Sequence, residues 1–82
     1  MKMIPEFKTE PQRQQWFVEN GDYFTAVVRK HNRNIKMPFH TKVEAVTYAQ
    51  QELSKDPLSR PFMIYAVVGH SDSFVENVYH KV

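Results

Sequence analysis

The chain contains no cysteine among its 82 residues. This absence excludes disulfide bonds, thiol nucleophiles and cysteine-ligated zinc sites. A chain without disulfides is typical of a reducing compartment, so we expect a cytoplasmic location.

Glycine and long apolar runs are also scarce. The two glycines, Gly21 and Gly69, lie far apart, so the chain has no glycine-rich loop that could bind phosphate. No segment approaches the roughly 20 apolar residues of a membrane-spanning helix. The first residues lack the apolar stretch of a signal peptide. We therefore expect no membrane partner.

Patterns typical of catalytic and metal sites are missing as well. The carboxylates occur singly, and no pair is predicted to converge for acid–base catalysis. His70, Ser71 and Asp72 are the residue types of a hydrolase triad, but direct neighbours cannot adopt the required relay geometry. None of the histidines lies on the predicted helix, where two could share a metal ion. We expect a non-enzymatic protein without a metal or other cofactor.

The composition that remains is that of a small globular domain. Hydrophobic residues make up 41% of the chain and charged residues 24%, which is typical of a folded protein. Its length is sufficient for one domain of modest stability. Residues 1–13 contain Pro5 and Pro11 and show no periodicity, so we expect an extended N-terminal arm. Residues 14–82 are then the folded domain.

The domain is predicted to open with a β-hairpin. Gln14–Glu19 carries Trp16 within a short apolar run and is interpreted as a first strand. Asn20-Gly21 follows, the strongest short hairpin signal, because a type I′ turn needs positive φ at both central residues. Tyr23–Val28 is the second strand. Its core-facing residues are predicted to be Phe24, Ala26 and Val28.

The next segment predicts a turn, an edge strand and a helix. His31–Asn34 is interpreted as the turn and Ile35–Phe39 as the strand. Pro38 cannot donate to a β-ladder, so this strand should lie at a sheet edge. Residues 41–44 match a capping box, which predicts an amphipathic helix from Lys42 to about Lys55.

The last third of the chain predicts two more strands. Phe62–Val68 is the most apolar run and is predicted to be the central strand, with Phe74–Val82 paired to it as a hairpin. The expected fold is α+β: an antiparallel sheet of about five strands in the order β-β-β-α-β-β, with one amphipathic helix on one face. The candidate residues of the uncovered face are Trp16, Tyr23, Val27, Arg29 and Tyr65 or Tyr79.

A basic run is the strongest functional feature. Four of the eight residues from Arg29 to Lys36 are Lys or Arg, and no carboxylate occurs between Tyr23 and Val43. Such a hairpin can bind phosphates, and neighbouring rings can stack on unpaired bases. This predicts contact with RNA or another single-stranded nucleic acid. The candidate residues are Arg29, Lys30, Arg33, Lys36, Lys42, Tyr23 and Trp16. A solvated hairpin tip would have the same composition.

A protein partner is the alternative function. The chain could act as a protein–protein effector or inhibitor that offers its exposed sheet face or an edge strand. Small, cysteine-free, single-domain chains are common among phage-encoded modulators of host or defence machinery. Homodimerisation through the uncovered face is compatible with either function.

Overall fold

A computed structural model describes residues 3–81 as an α+β fold with a four-stranded antiparallel sheet and two helices. The elements in chain order are α1 (Glu10–Asn20), β1 (Tyr23–Lys30), β2 (Arg33–Phe39), α2 (Lys42–Lys55), β3 (Phe62–Val68) and β4 (Ser71–Val78). The class is as expected. The predicted five strands and their order are wrong, because a helix precedes four strands. The predicted last strand extended to Val82, which lies outside the described residues.

The segment predicted as a first strand is helix α1. The hydroxyl of Thr9 caps this helix by accepting a hydrogen bond from the Gln12 amide at 3.4 Å, and a proline lies in the first turn. Thr-x-x-Gln followed by helix-forming residues is a helix-start signal. That signal outweighs the β-propensity of the aromatic residues that follow. The boundary expected between residues 13 and 14 falls within α1.

The Asn20-Gly21 hairpin is also wrong, because these residues end α1. The side-chain amide of Asn20 donates to the Trp16 carbonyl at 2.9 Å. Gly21 has a φ of −58°, which any residue can adopt. A Cβ there would lie 3.0 Å from both the Phe17 carbonyl oxygen and Cζ of Phe24. This glycine is therefore required by a close approach and not by a left-handed backbone.

The two β-hairpins both have two-residue turns. His31 and Asn32 join β1 to β2 with φ values of 50° and 63°, as a type I′ turn requires. The turn is two residues shorter than predicted, so β2 begins at Arg33. Gly69 has a φ of 61° and starts the predicted hairpin between β3 and β4.

The strand order is β2-β1-β3-β4, so β3 is an interior strand and β2 an edge, both as predicted. Each edge carries a feature that discourages pairing with another strand. Edge strand β2 contains Lys36 and Pro38. In β4 the register shifts so that Phe74 and Glu76 face consecutive residues of β3, leaving Val75 as an extra residue.

Both helices pack on the same face of the sheet. Helix α2 has the predicted bounds, and the Thr41 hydroxyl accepts from the Glu44 amide at 3.2 Å. The buried core between helices and sheet consists of Phe17, Phe24, Ala26, Val28, Ala45, Ala49, Leu53, Phe62, Ile64, Ala66, Val68 and Val78. It includes the three core positions predicted on β1. Within residues 3–81 no helix covers the opposite face, which we call the open face.

Candidate nucleic-acid interface

The centre of the open face is an uncharged row that crosses all four strands. Thr25 lies opposite Pro38 on β2 and opposite Tyr65 on β3, and Tyr65 lies opposite Phe74 on β4. The rings of Tyr65 and Phe74 have centroids 6.0 Å apart. Tyr65 is an uncovered-face candidate that the structure places as predicted. A row of this kind offers flat apolar surface to a ligand.

Beside this row the face is closely packed although no helix covers it. Val27 and Val67 are 3% and 8% exposed, whereas Tyr23 at the start of β1 is 40% exposed. These side chains belong to an open depression of about 550 Å³ that also includes Lys36 and Asp72. Part of the open face therefore consists of buried valine side chains, with polar and aromatic groups around them.

The basic hairpin divides its cations between the two sides of the sheet. Arg29 lies two residues after Val27 on β1 and therefore points to the same face, and Lys36 lies directly opposite Val27 on β2. Both cations are therefore on the open face. Lys30 and Arg33 face each other beside the turn, on the helix side. The sequence brings all four to one tip, but only two of them border the open face.

Hydrogen bonds hold Arg29 along its own hairpin. Its guanidinium donates to Oδ1 of Asn34 and to the carbonyl oxygen of Asn32, both at 3.4 Å. Neither acceptor carries a charge, so both bonds orient the guanidinium and leave its positive charge uncompensated. Long and exposed bonds of this kind are weak, and a phosphate could replace them.

The four cations of the hairpin are not neutralised within residues 3–81. The ion pairs there join Arg13 to Glu10, Lys55 to Glu52 and Lys42 to Glu76. Arg29, Lys30, Arg33 and Lys36 form none. Four adjacent positive charges without a carboxylate produce a local positive potential that the formal net charge of +2 conceals.

Two predicted site residues lie away from this surface. Lys42 starts α2 and is paired with Glu76 on the helix side of β4. Trp16 is on α1, where its ring packs 5.9 Å from Phe7 and 5.2 Å from Phe17, measured between centroids. Its expected place on the uncovered face is wrong, because the segment is helical and faces the covered side.

Several open-face residues escaped the sequence analysis as site candidates. Asn34, Phe74, His70 and Asp72 had been assigned to turns or to the last strand. Strand register places Asn34, Phe74 and Asp72 on the open face, and His70 borders the same depression. No local pattern marks these residues. Their signal appears only when both two-residue turns are known.

Tyr48, whose pKa is raised, lies on the helix side of the sheet. Burial raises the pKa of Tyr48 above its ordinary value of 10.0; the Glu52 carboxylate adds to the increase, and the Lys55 ammonium opposes it. The Tyr48 ring packs between Phe39 and Phe62. This tyrosine therefore packs against the core and does not lie on the open face.

Across residues 3–81, no three His, Asp or Glu side chains come together in a way that could hold a metal ion. No helix in that range has the length and apolarity to cross a membrane. Comparisons with protein-family models, curated proteins and solved structures find no match to this chain.

Proposed function

We propose that the protein binds single-stranded nucleic acid, RNA or single-stranded DNA, on the open face next to the basic hairpin. The observation that carries this proposal is an uncharged row with aromatic rings on the open face, beside a hairpin of four cations. Two of these cations border that face, and none of the four pairs with a carboxylate within residues 3–81. Stacking platforms beside a positive surface are the recurring arrangement for single strands. Duplex DNA is disfavoured, because both helices pack against the sheet and neither lies on the open face.

The residues have separate roles in this proposal. Arg29 and Lys36 contact phosphates at the open face, and Lys30 and Arg33 contact phosphates where the strand passes around the tip. Tyr65 provides the central stacking ring, because it lies on an interior strand within the uncharged row. Tyr23 and Phe74 offer further ring surface at the two sides.

A salt titration tests the role of the hairpin. Binding of a labelled ten-residue oligouridine would be followed by fluorescence anisotropy for the wild type and for Arg33→Gln/Lys36→Gln. Four phosphate contacts predict a slope of log K against log salt of about −2.8, which should weaken to about −1.4 in the variant. Arg13→Gln/Lys55→Gln is the matched control, because it lowers net charge equally at two cations already paired with carboxylates.

The comparison separates a local interface from general charge attraction. The control should keep the wild-type slope, since neither of its residues is at the hairpin. Equal slopes for the two double variants would contradict the proposal. Tyr65→Ala should weaken binding by roughly 5-fold or more without changing the slope, because stacking releases no counterions. Trp16 emission reports folding in each variant, since its ring packs on the covered side.

A protein partner on the open face is the second candidate. The row from Pro38 to Phe74 contains no charge, which would also suit an apolar protein surface. Both sheet edges carry features that oppose strand addition, so the face and not an edge would be the contact. Failure to bind oligouridine, together with salt-insensitive capture of one protein that Tyr65→Ala abolishes, would favour this candidate.

A further inference from the structure

The far end of the open face carries a carboxylate. Asp72 on β4 is exposed and lies in the same cross-strand row as Val67 and Tyr23. Within residues 3–81 its side chain makes no hydrogen bond or ion pair. A carboxylate accepts hydrogen bonds and repels phosphate. A polyanion that passes over Asp72 therefore binds better when it presents a donor there, and its bases are the source of N–H groups.

We propose, on the basis of the proposed function, that Asp72 reads the pairing edge of a base and selects guanine. Guanine presents two neighbouring N–H groups on that edge, at N1 and at the 2-amino group. The two oxygens of one carboxylate can accept both in parallel, as in other bidentate pairs. Adenine and cytosine each place a ring acceptor beside the amino group, and uracil has one N–H between two carbonyls. Each of these would direct a lone pair at one carboxylate oxygen.

The row provides space and a floor for the base. Tyr23 and Asp72 are separated by two strand spacings, about 10 Å. Val67 lies between them and is 8% exposed, so it forms an apolar floor. A base lying over Val67 contacts the Tyr23 ring on one side and directs its pairing edge to Asp72 on the other.

The cationic end of the face fixes the general direction of the strand. Lys36 lies opposite Val27, four residues along β1 from Tyr23 and three strands across from β4. This corresponds to about 13 Å along the strands and about 14 Å across them. One nucleotide cannot reach from Lys36 to Asp72. Guanosine monophosphate alone should therefore compete poorly with an oligonucleotide.

The test compares a ten-residue oligouridine with the same oligomer carrying one central guanine. For the wild type we expect the guanine to increase affinity by about 5-fold or more. Asp72→Asn should abolish this gain, and it should tighten oligouridine binding because it removes one negative charge from the open face. Glu19→Gln, which removes one negative charge at an exposed residue of α1, should keep the gain.

Base analogues test the atoms involved. Inosine retains N1–H but lacks the 2-amino group, so its gain should be smaller than that of guanine. 7-Deazaguanine keeps the whole pairing edge and should match guanine. Equal gains for guanine and inosine would overturn the bidentate assignment.

The outcomes separate this inference from the proposed function. Hairpin-dependent binding of oligouridine without a guanine gain, or with a gain that survives Asp72→Asn, overturns the inference alone. Absence of hairpin-dependent binding to any of these oligomers overturns both.

Discussion

Replacing Gly21 by alanine tests how closely α1 approaches β1. The new methyl group would lie 3.0 Å from the Phe17 carbonyl oxygen and 3.0 Å from Cζ of Phe24. The backbone φ of −58° is acceptable for alanine. Any loss of stability must therefore come from crowding and not from backbone strain.

The size of the effect follows from two opposing terms. Inserting a methyl group into a close-packed site costs about 1–3 kcal/mol. Alanine also restricts the unfolded chain, which offsets about 0.4–1 kcal/mol. We expect Gly21→Ala to lower the free energy of unfolding by about 1–2 kcal/mol. For a domain of this size each kcal/mol corresponds to roughly 4–8 °C in melting temperature.

Gly69 provides the matched comparison, because it has open space around it but a left-handed backbone, whereas Gly21 is crowded and has an ordinary backbone. It has a φ of +61°, and a Cβ there would meet no atom within 4 Å. Gly69→Ala should cost about 1–2 kcal/mol through its left-handed backbone. Asparagine tolerates that backbone, so Gly69→Asn should recover most of the loss. At Gly21 asparagine should be no better than alanine, since it adds bulk to the same crowded space.

Urea unfolding followed by Trp16 emission measures all four variants. A double variant, Gly21→Ala with Phe24→Leu, removes the ring atoms that meet the new methyl group. Its loss of stability should be smaller than the sum of the two single losses. A wild-type midpoint for Gly21→Ala, or a recovery by Gly21→Asn, would refute the close approach of helix and strand.

Three further predictions concern turns, caps and titration. Changing His31-Asn32 to Asn-Gly should raise the free energy of unfolding by about 0.5–1 kcal/mol, because both positions have positive φ; urea unfolding measures this. Thr9→Ala and Thr41→Ala should each cost about 1 kcal/mol by removing a helix cap, and circular dichroism melting would show the loss. The raised pKa of Tyr48 predicts a stabilising contribution that is complete below about pH 10 and disappears as pH rises through the folded-state pKa. Tyr48→Phe should therefore reduce the alkaline loss of stability seen in melting temperatures between pH 9 and 11.

The parts of the fold that sequence reasoning predicts correctly have strong local signals. Helix α2 combines a threonine cap with amphipathic spacing, and its bounds, Lys42–Lys55, are those predicted. Strand β3 is a long apolar run, and such runs belong inside a sheet. Pro38 places β2 at an edge because it lacks an N–H. In each case a local feature of the sequence, either a residue type or the spacing of the apolar residues, is compatible with one type of element or one position in the sheet.

Helix α1 was missed because two local signals disagree. Trp16, Phe17 and Val18 favour a strand by residue type. Thr9 and Gln12 favour a helix by capping, and the structure shows that this signal decides the outcome. Of the three apolar residues only Phe17 is fully buried, which is compatible with one buried face of a helix and not with a strand buried on both faces. The ring contacts of α1 join Trp16 and Phe17 to each other and to Phe7 on the preceding segment, a contact that no periodic pattern marks.

The residues of the candidate site that are close in sequence could be predicted, but their neighbours on adjacent strands could not. The basic hairpin is continuous in sequence, so Arg29 and Lys36 could be identified from composition alone. The partners of Tyr23 across the sheet could not, because a one-residue shift in register moves every side chain to the other face. Asp72 is on the open face because the turn before β4 contains only two residues and Val67 pairs with Asp72; this turn, like the one between β1 and β2, was predicted to be longer.

The features that discourage pairing with another strand lie at the edges of the sheet and not on its open face. The charges of the open face, on Arg29, Lys36 and Asp72, lie around its central row, although the exposed rings of that row carry an aggregation risk. Lys36 and Pro38 discourage pairing at one edge, and the extra residue at Val75 does so at the other. The central row with Tyr65 is left without a charge. This arrangement discourages strand addition at both edges and leaves the open face as the surface that the proposed function uses.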